Sequence, residues 1–186
     1  MGTIPTIASF VAGTELTAAD LNAVKDAVDF WAQTPRCSVY ANAATSVSNS
    51  ASAWTVVAFA AETFDIVQSG DSPSHDNATN NSRIYIRTSG KYEVAGQLQF
   101  VLNATGYRAV QVRLNAAGSG TGGTQLAYNA LDGSSTSVVS VAVPSVEYAL
   151  TAGDYIEMFG QQNSGGALNT VAGQGVSFLR VKLVGS

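Results

Sequence analysis

Charge is what this sequence has least of. Asp, Glu, Lys and Arg together supply 12% of the 186 residues, about half the share usual in globular proteins. Nine Lys and Arg stand against 13 Asp and Glu, for a net charge of −4. The bases are scattered, which excludes the clustered positive footprint of a nucleic-acid binder. There is one cysteine, Cys37, so no internal disulfide can form and the fold does not depend on an oxidising compartment. It reads as a small buried hydrophobe near a strand start. There is one histidine, His75, and its Ser, Asp and Asn neighbours read as a solvated loop. A Ser-His-Asp or Cys-His device would have to be built on it. Two such residues cannot make a standard zinc site. No run reaches the roughly 18 apolar residues of a membrane-spanning helix, and the first residues lack the basic and apolar regions of a signal peptide. A myristoylation-like pattern over residues 1–6 and sequons at Asn77, Asn80 and Asn103 are read as accidents of composition.

What fills the chain instead is 46% hydrophobic residues and 18 glycines, with β-branched runs set between Gly, Ser and Asn clusters. That pattern predicts an all-β domain. Pro35 marks a boundary between an arm, residues 1–35, and a domain, residues 36–186. In the domain the clearest period-two alternation places Tyr92, Val94, Gly96, Leu98, Phe100 and Leu102 on one face. Lys91, Glu93, Ala95, Gln97 and Gln99 occupy the other. Val110, Val112 and Leu114, then Val139, Val141 and Val143, then Ile156 and Met158, and finally Leu179, Val181 and Leu183, repeat the pattern. Gly90 suits a turn with positive φ, and Gly153-Asp154 suits a hairpin entry in which the Asp side chain bonds the backbone. Residues 118–123 read as a hairpin tip, since no Lys and helix follow as in a phosphate loop.

The arm carries one predicted helix. Thr17 and Asp20 form a capping box with Asp in place of the usual Glu, and Leu21, Val24, Val28 and Trp31 recur at three- and four-residue spacing. So short a helix is marginal alone in water. Its stripe therefore needs a partner: its own domain, sister arms or another protein. The arm is expected to be dispensable for folding and needed for attachment.

The order of the motifs narrows the architecture. Thr88-Ser89-Gly90-Lys91-Tyr92-Glu93-Val94, Val112-Arg113-Leu114-Asn115, Leu150-Thr151-Ala152-Gly153-Asp154 with Tyr155 to Met158, and the closing Phe178-Leu179-Arg180-Val181 resemble, in order and spacing, the complement-globular-head and tumour-necrosis-factor superfamily. Arg87 stands where that pattern has Pro, and Leu179 where Gly is common. The resemblance implies an antiparallel two-sheet jelly-roll sandwich that assembles as a homotrimer. Ala95, Gln97, Gln99 and Phe178 are the expected trimer-interface residues. In the arm, residues 12–22 followed by Val28 and Trp31 resemble a module at the N-termini of many phage structural proteins. That implies a particle-anchoring role for Leu21, Val24, Val28 and Trp31.

No catalytic, cofactor or metal residues emerge. Asp71, Asp76, Asn77 and Asn80 are the only loop oxygens close enough in sequence to suggest calcium, without EF-hand spacing. Glu62, Asp65, Glu147, Asp154 and Glu157 are the acids on which a glycosidase would have to draw. The expectation is a non-enzymatic bacteriophage virion protein without cofactor. It would decorate the capsid as a minor capsid or head-fibre protein, bound to the major capsid protein at the virion surface after assembly in the bacterial cytoplasm. The alternative is a tail-fibre or tail-tip module, bound to a tail protein, that recognises host-surface glycan, with Tyr85, Tyr107 and Tyr128 as stacking platforms. Neither reading involves nucleic acid or membrane.

Overall fold

Thr17 caps the first element. Its hydroxyl accepts the Asp20 amide at 3.2 Å while the Asp20 carboxylate accepts the Thr17 amide at 2.9 Å, the reciprocal capping box expected from the sequence. The Thr17 hydroxyl also donates to the Asp20 carboxylate at 2.7 Å, and this bond, with that from the Thr17 amide, holds the Asp20 carboxyl below the usual range. The computed structural model describes residues 4–7 and 9–185, so residues 1–3 of the myristoylation-like pattern lie outside the described residues. Helix α1 (Ala18–Ala32) leads into thirteen strands. They are β1 (Arg36–Tyr40), β2 (Ser46–Val47), β3 (Ser50–Val56), β4 (Ala61–Ile66), β5 (Arg83–Tyr85), β6 (Gly90–Phe100) and β7 (Asn103–Leu114). After these come β8 (Thr124–Ser134), β9 (Val139–Ala142), β10 (Val146–Leu150), β11 (Tyr155–Gln162), β12 (Leu168–Asn169) and β13 (Phe178–Gly185).

Two antiparallel sheets face one another. The front sheet has the order β10-β6-β13-β1-β4, with β9 pairing further along β6, and the back sheet has the order β5-β11-β7-β8. Successive strands repeatedly cross from one sheet to the other, and the first and last strands pair, with Arg36 opposite Lys182 and Tyr40 opposite Phe178. This is the jelly-roll sandwich expected from the sequence.

The period-two pattern fixes what goes inside. Tyr92, Val94, Leu98 and Phe100 of β6 and Leu179, Val181 and Leu183 of β13 are buried against Ile84, Val110, Val112, Ile156 and Met158 of the back sheet. Each such side chain contributes about 1.5–3 kcal/mol relative to leaving it in water. Leu102 departs from the expectation. It is exposed, because β6 ends at Phe100 and the chain turns away.

Three further expectations are corrected. Gly90 is not a positive-φ residue but part of β6; a Cβ there would lie 2.5 Å from Leu183 Cδ1 and 2.7 Å from the Gly185 carbonyl oxygen. Close strand approach, not turn geometry, requires glycine. Gly153, by contrast, does adopt φ +102°, and Asp154 Oδ2 accepts the Thr151 amide at 2.8 Å. β8 has no counterpart in the sequence reading. As the outer strand of the back sheet it buries only Ala127 fully, so it shows no alternation, and its ladder with β7 holds it in place. Finally, His75 is not solvated but buried.

Burial, with the Asp71 charge adding to it, pushes the Tyr92 phenol up to about 12, against the opposing effect of its 2.8 Å hydrogen bond to the Thr88 carbonyl. The neutral phenol is the form the fold favours. Its contribution to stability is therefore complete below pH about 10 and lost as pH rises from about 10 to 12. Ultraviolet titration is expected to show one tyrosine ionising late, and Tyr92→Phe is expected to remove that step.

Candidate functional site

Helix α1 has two apolar faces, and the fold uses the one that the sequence reading passed over. Phe30 and Ala27 are buried, Phe30 within the main core. Gln68 Nε2 donates to the Gln33 carbonyl at 3.0 Å and ties the helix end to the 68–82 loop. The expected stripe points elsewhere: Leu21 is 58% exposed, Val28 61% and Trp31 46%, with Val24 half-buried. Ile7, Phe10, Val11 and Leu16 before the helix are also exposed. Half of the large exposed hydrophobics among the described residues thus lie in this first segment, which is one sixth of the chain. Isolated exposed apolar residues are ordinary; a concentration of them marks a contact surface.

The second surface is the outer side of the front sheet. Register places Phe178 opposite Gln97, Arg180 opposite Ala95, and Gln99 opposite Ser140. The four expected interface residues therefore share one face. Ala95 is buried, while Gln97, Gln99 and Phe178 are half-buried. Gln97 Nε2 donates to the Val176 carbonyl at 3.0 Å and Gln99 Nε2 to Ser140 Oγ at 2.8 Å. The sequence reading put Glu93 on this face but missed the other neighbours that complete it. Arg36, Phe64, Glu93, Arg180 and Lys182 border a recess of about 250 Å³. Only strand order could reveal them, since they come from four separate segments.

The chemistry-bearing residues are occupied by structure. His75 Nδ1 lies 2.8 Å from the Arg83 carbonyl oxygen and Nε2 2.7 Å from that of Phe59, so neither ring nitrogen is free for a substrate. Burial, then the charges of Asp65 and Glu62, push the Cys37 thiol far above its ordinary range, which suppresses the thiolate that a nucleophile needs. Asp65 Oδ2 accepts the His75 amide at 3.0 Å. Glu157 is fully enclosed and receives Ser82 Oγ, Arg83 Nε and the Gly118 amide at 2.9, 3.1 and 2.9 Å. Asp65 and Glu157 stand on different sheets. Of the loop oxygens, Asp76, Asn77 and Asn80 line one cleft with Glu62, whereas Asp71 lines another recess with Gly153. The four do not converge. Asp76 Oδ1 accepts the amides of Ala78 and Thr79 at 2.8 and 3.0 Å, which lower its carboxyl.

The three tyrosines differ. Tyr85 has the Arg87 guanidinium 5.0 Å from its ring centre and the Tyr155 ring at 5.7 Å, and Tyr107 donates its hydroxyl to Gln161 Oε1 at 2.9 Å. Tyr128 is 45% exposed, edge-on to Trp54 at 6.1 Å.

No protein-family model matches the chain, and no curated protein matches it in sequence. Solved structures do share its fold. Murine APRIL at pH 5.0 superimposes with a TM-score of 0.59 at 13% identity, over 81% of this chain and 99% of that one. Eiger TNF from S. frugiperda gives 0.58 at 15% identity, over 83% and 94%. The globular domain of zebrafish complement 1qA gives 0.50 at 14% identity, over 81% and 97%. At these identities the likeness is one of fold, and this chain is built on the two-sheet jelly roll of tumour-necrosis-factor and complement-1q heads.

Proposed function

We propose that this chain is a non-enzymatic, homotrimeric attachment protein of a bacteriophage particle, a capsid decoration or head-fibre protein held on the shell by its N-terminal segment. The observation that carries the reading is the exposed stripe of α1. The helix already seats Phe30 in its own core, yet it leaves Leu21, Val28 and Trp31 uncovered beside Phe10, Val11 and Leu16. A binding role is further supported by a jelly-roll scaffold in which the histidine, the cysteine and Glu157 are all engaged internally. The outer face of the front sheet, with Ala95, Gln97, Gln99 and Phe178, is where the copies meet.

The test replaces the stripe and leaves the core alone. A chain carrying Leu21→Asp, Val28→Asp and Trp31→Ala is expected to fold and to trimerise, but to decorate particles at less than about a tenth of the wild-type copy number, because charge in an apolar contact is left unpaired. Electron microscopy with labelled protein reads both copy number and position. Wild-type decoration by the triple variant would overturn the reading. Labelling confined to the tail, with glycan binding that Tyr128→Ala abolishes, would favour the receptor-binding alternative, for which the exposed Tyr128 beside Trp54 is the specific support.

A further inference from the structure

One row of side chains across the outer side of the front sheet is polarised. Following the register from β1 outward, Arg36 stands opposite Lys182, Lys182 opposite Glu93, and Glu93 opposite Glu147. The order is positive, positive, negative, negative. Two of the three contacts set like charges directly across a strand pair, which is unfavourable within a single chain. Only the central one, Lys182 with Glu93, is complementary.

The unused charge is concentrated there. Lys25 pairs with Asp29 at 2.6 Å and Arg83 with Glu157 at 3.1 Å. Arg87 is bound to the Pro73 carbonyl, Arg108 to main-chain carbonyls earlier in its own strand, and Arg113 to those of the loop between β7 and β8. Among the described residues, the basic side chains with no hydrogen bond or ion pair are Arg36, Lys91, Arg180 and Lys182, all on this face. Arg36 and Arg180 lie over the rings of Phe64 and Phe178, at 5.8 and 5.6 Å, beside the recess already described. At the edge of the sheet Glu147, on the outer strand β10, is exposed.

We propose that Glu147 of one copy seats against Arg36 and Lys182 of the next, so that the basic central strands β1 and β13 of each front sheet receive the acidic edge strand β10 of its neighbour. The occupant is a second copy of this chain. Opposite charges at the centre and at one edge of the same sheet make a heterologous, head-to-tail contact, and such contacts close into rings when the rotation permits. The inference rests on the homotrimeric reading and deepens it by naming the contact and its polarity.

The test is a charge exchange on the full-length chain, with trimer dissociation followed by mass photometry and sedimentation velocity. Glu147→Lys and Arg36→Glu are each expected to weaken the trimer on the order of tenfold or more. The double exchange is expected to restore it to near the wild-type value. Raising salt from roughly 0.1 M to 1 M, which shortens the screening length from about 10 Å to about 3 Å, is expected to shrink both effects. Glu147→Gln and Arg36→Gln, which add no repulsion, are expected to weaken assembly less but in the same direction. Melting curves recorded on every variant separate misfolding from dissociation. A trimer indifferent to all four single changes, or a double exchange that fails to restore assembly, overturns this contact and leaves the trimeric reading standing. A wild-type chain that is monomeric or dimeric at micromolar concentration overturns both.

Discussion

Phe30→Ala is expected to destabilise the protein by about 3–5 kcal/mol, whereas Trp31→Ala, one residue along, is expected to change stability by less than about 1 kcal/mol. The two rings touch edge to edge, with centroids 5.2 Å apart, yet they face different surroundings. Phe30 is 3% exposed and belongs to the core that the two sheets share, while Trp31 is 46% exposed. Truncating Phe30 opens a cavity in that core; truncating Trp31 removes surface that water already reaches. Chemical denaturation of the two variants reads the difference directly. Equal losses would mean that α1 is not docked as described. The same geometry bears on the expectation that residues 1–34 can be deleted without harm. Deletion removes the buried Phe30 and Ala27 and the core-packed Ile4 together, so the truncated chain is expected to be markedly less stable than the triple stripe variant.

Glu157→Gln is expected to cost about 3 kcal/mol or more, the order seen when one partner of a buried ion pair is removed. The carboxylate is fully enclosed and is the common acceptor for Ser82, Arg83 and Gly118. Arg83 meanwhile lies over the Tyr155 ring at 4.3 Å and donates to the Tyr85 hydroxyl at 3.3 Å. That hydrogen bond, followed by the one to Glu157 and the Glu157 charge, raises the already high Arg83 value against the opposing effect of burial, so the guanidinium stays charged after the substitution. An amide would leave that charge without its counterion and a donor facing donors. Asp132→Asn, on an exposed side chain, is the control and is expected to move stability by less than about 0.5 kcal/mol. The same pair of variants tests the non-enzymatic reading. No protein in the series is expected to release reducing ends from cell-wall polysaccharide. Sustained release by the wild type, lost in Glu157→Gln without a change in melting, would establish a carboxylate mechanism instead.

Much of the architecture follows from the chain read alone, because a half-buried strand writes its two faces into alternate residues. Tyr92 to Phe100, Val139 to Val143 and Leu179 to Leu183 announce both the strand and the side that is buried. The capping box at Thr17 and the Asp154 turn are local as well, formed by atoms three residues apart. What is local in these segments is the signal; the strands themselves form only when they pair.

Other features became visible only when distant segments met. β8 has too little of its face covered to alternate, and the ladder with β7 alone makes it a strand. His75 sits in a run of Ser, Asp and Asn, yet carbonyls from Phe59 and Arg83 enclose its ring. Arg108 reads as one more scattered base. In the fold it is fully buried, its guanidinium donating to the carbonyls of Asn103, Thr105 and Tyr107 at 2.9 Å each, and burial draws its pKa down.

The helix divides the same way. Its stripe of Leu21, Val24, Val28 and Trp31 is written in the spacing. That Phe30 and Ala27 are buried instead, while Leu21, Val28 and Trp31 are left to water, depends on which parts of the distant chain pack on the helix. The charge row obeys the same rule: Arg36, Lys182, Glu93 and Glu147 come from four strands, and strand order alone makes them neighbours. Periodicity encodes the faces of individual elements because side-chain direction is local; which faces meet, and which charges are left over, depends on contacts between residues far apart in the chain.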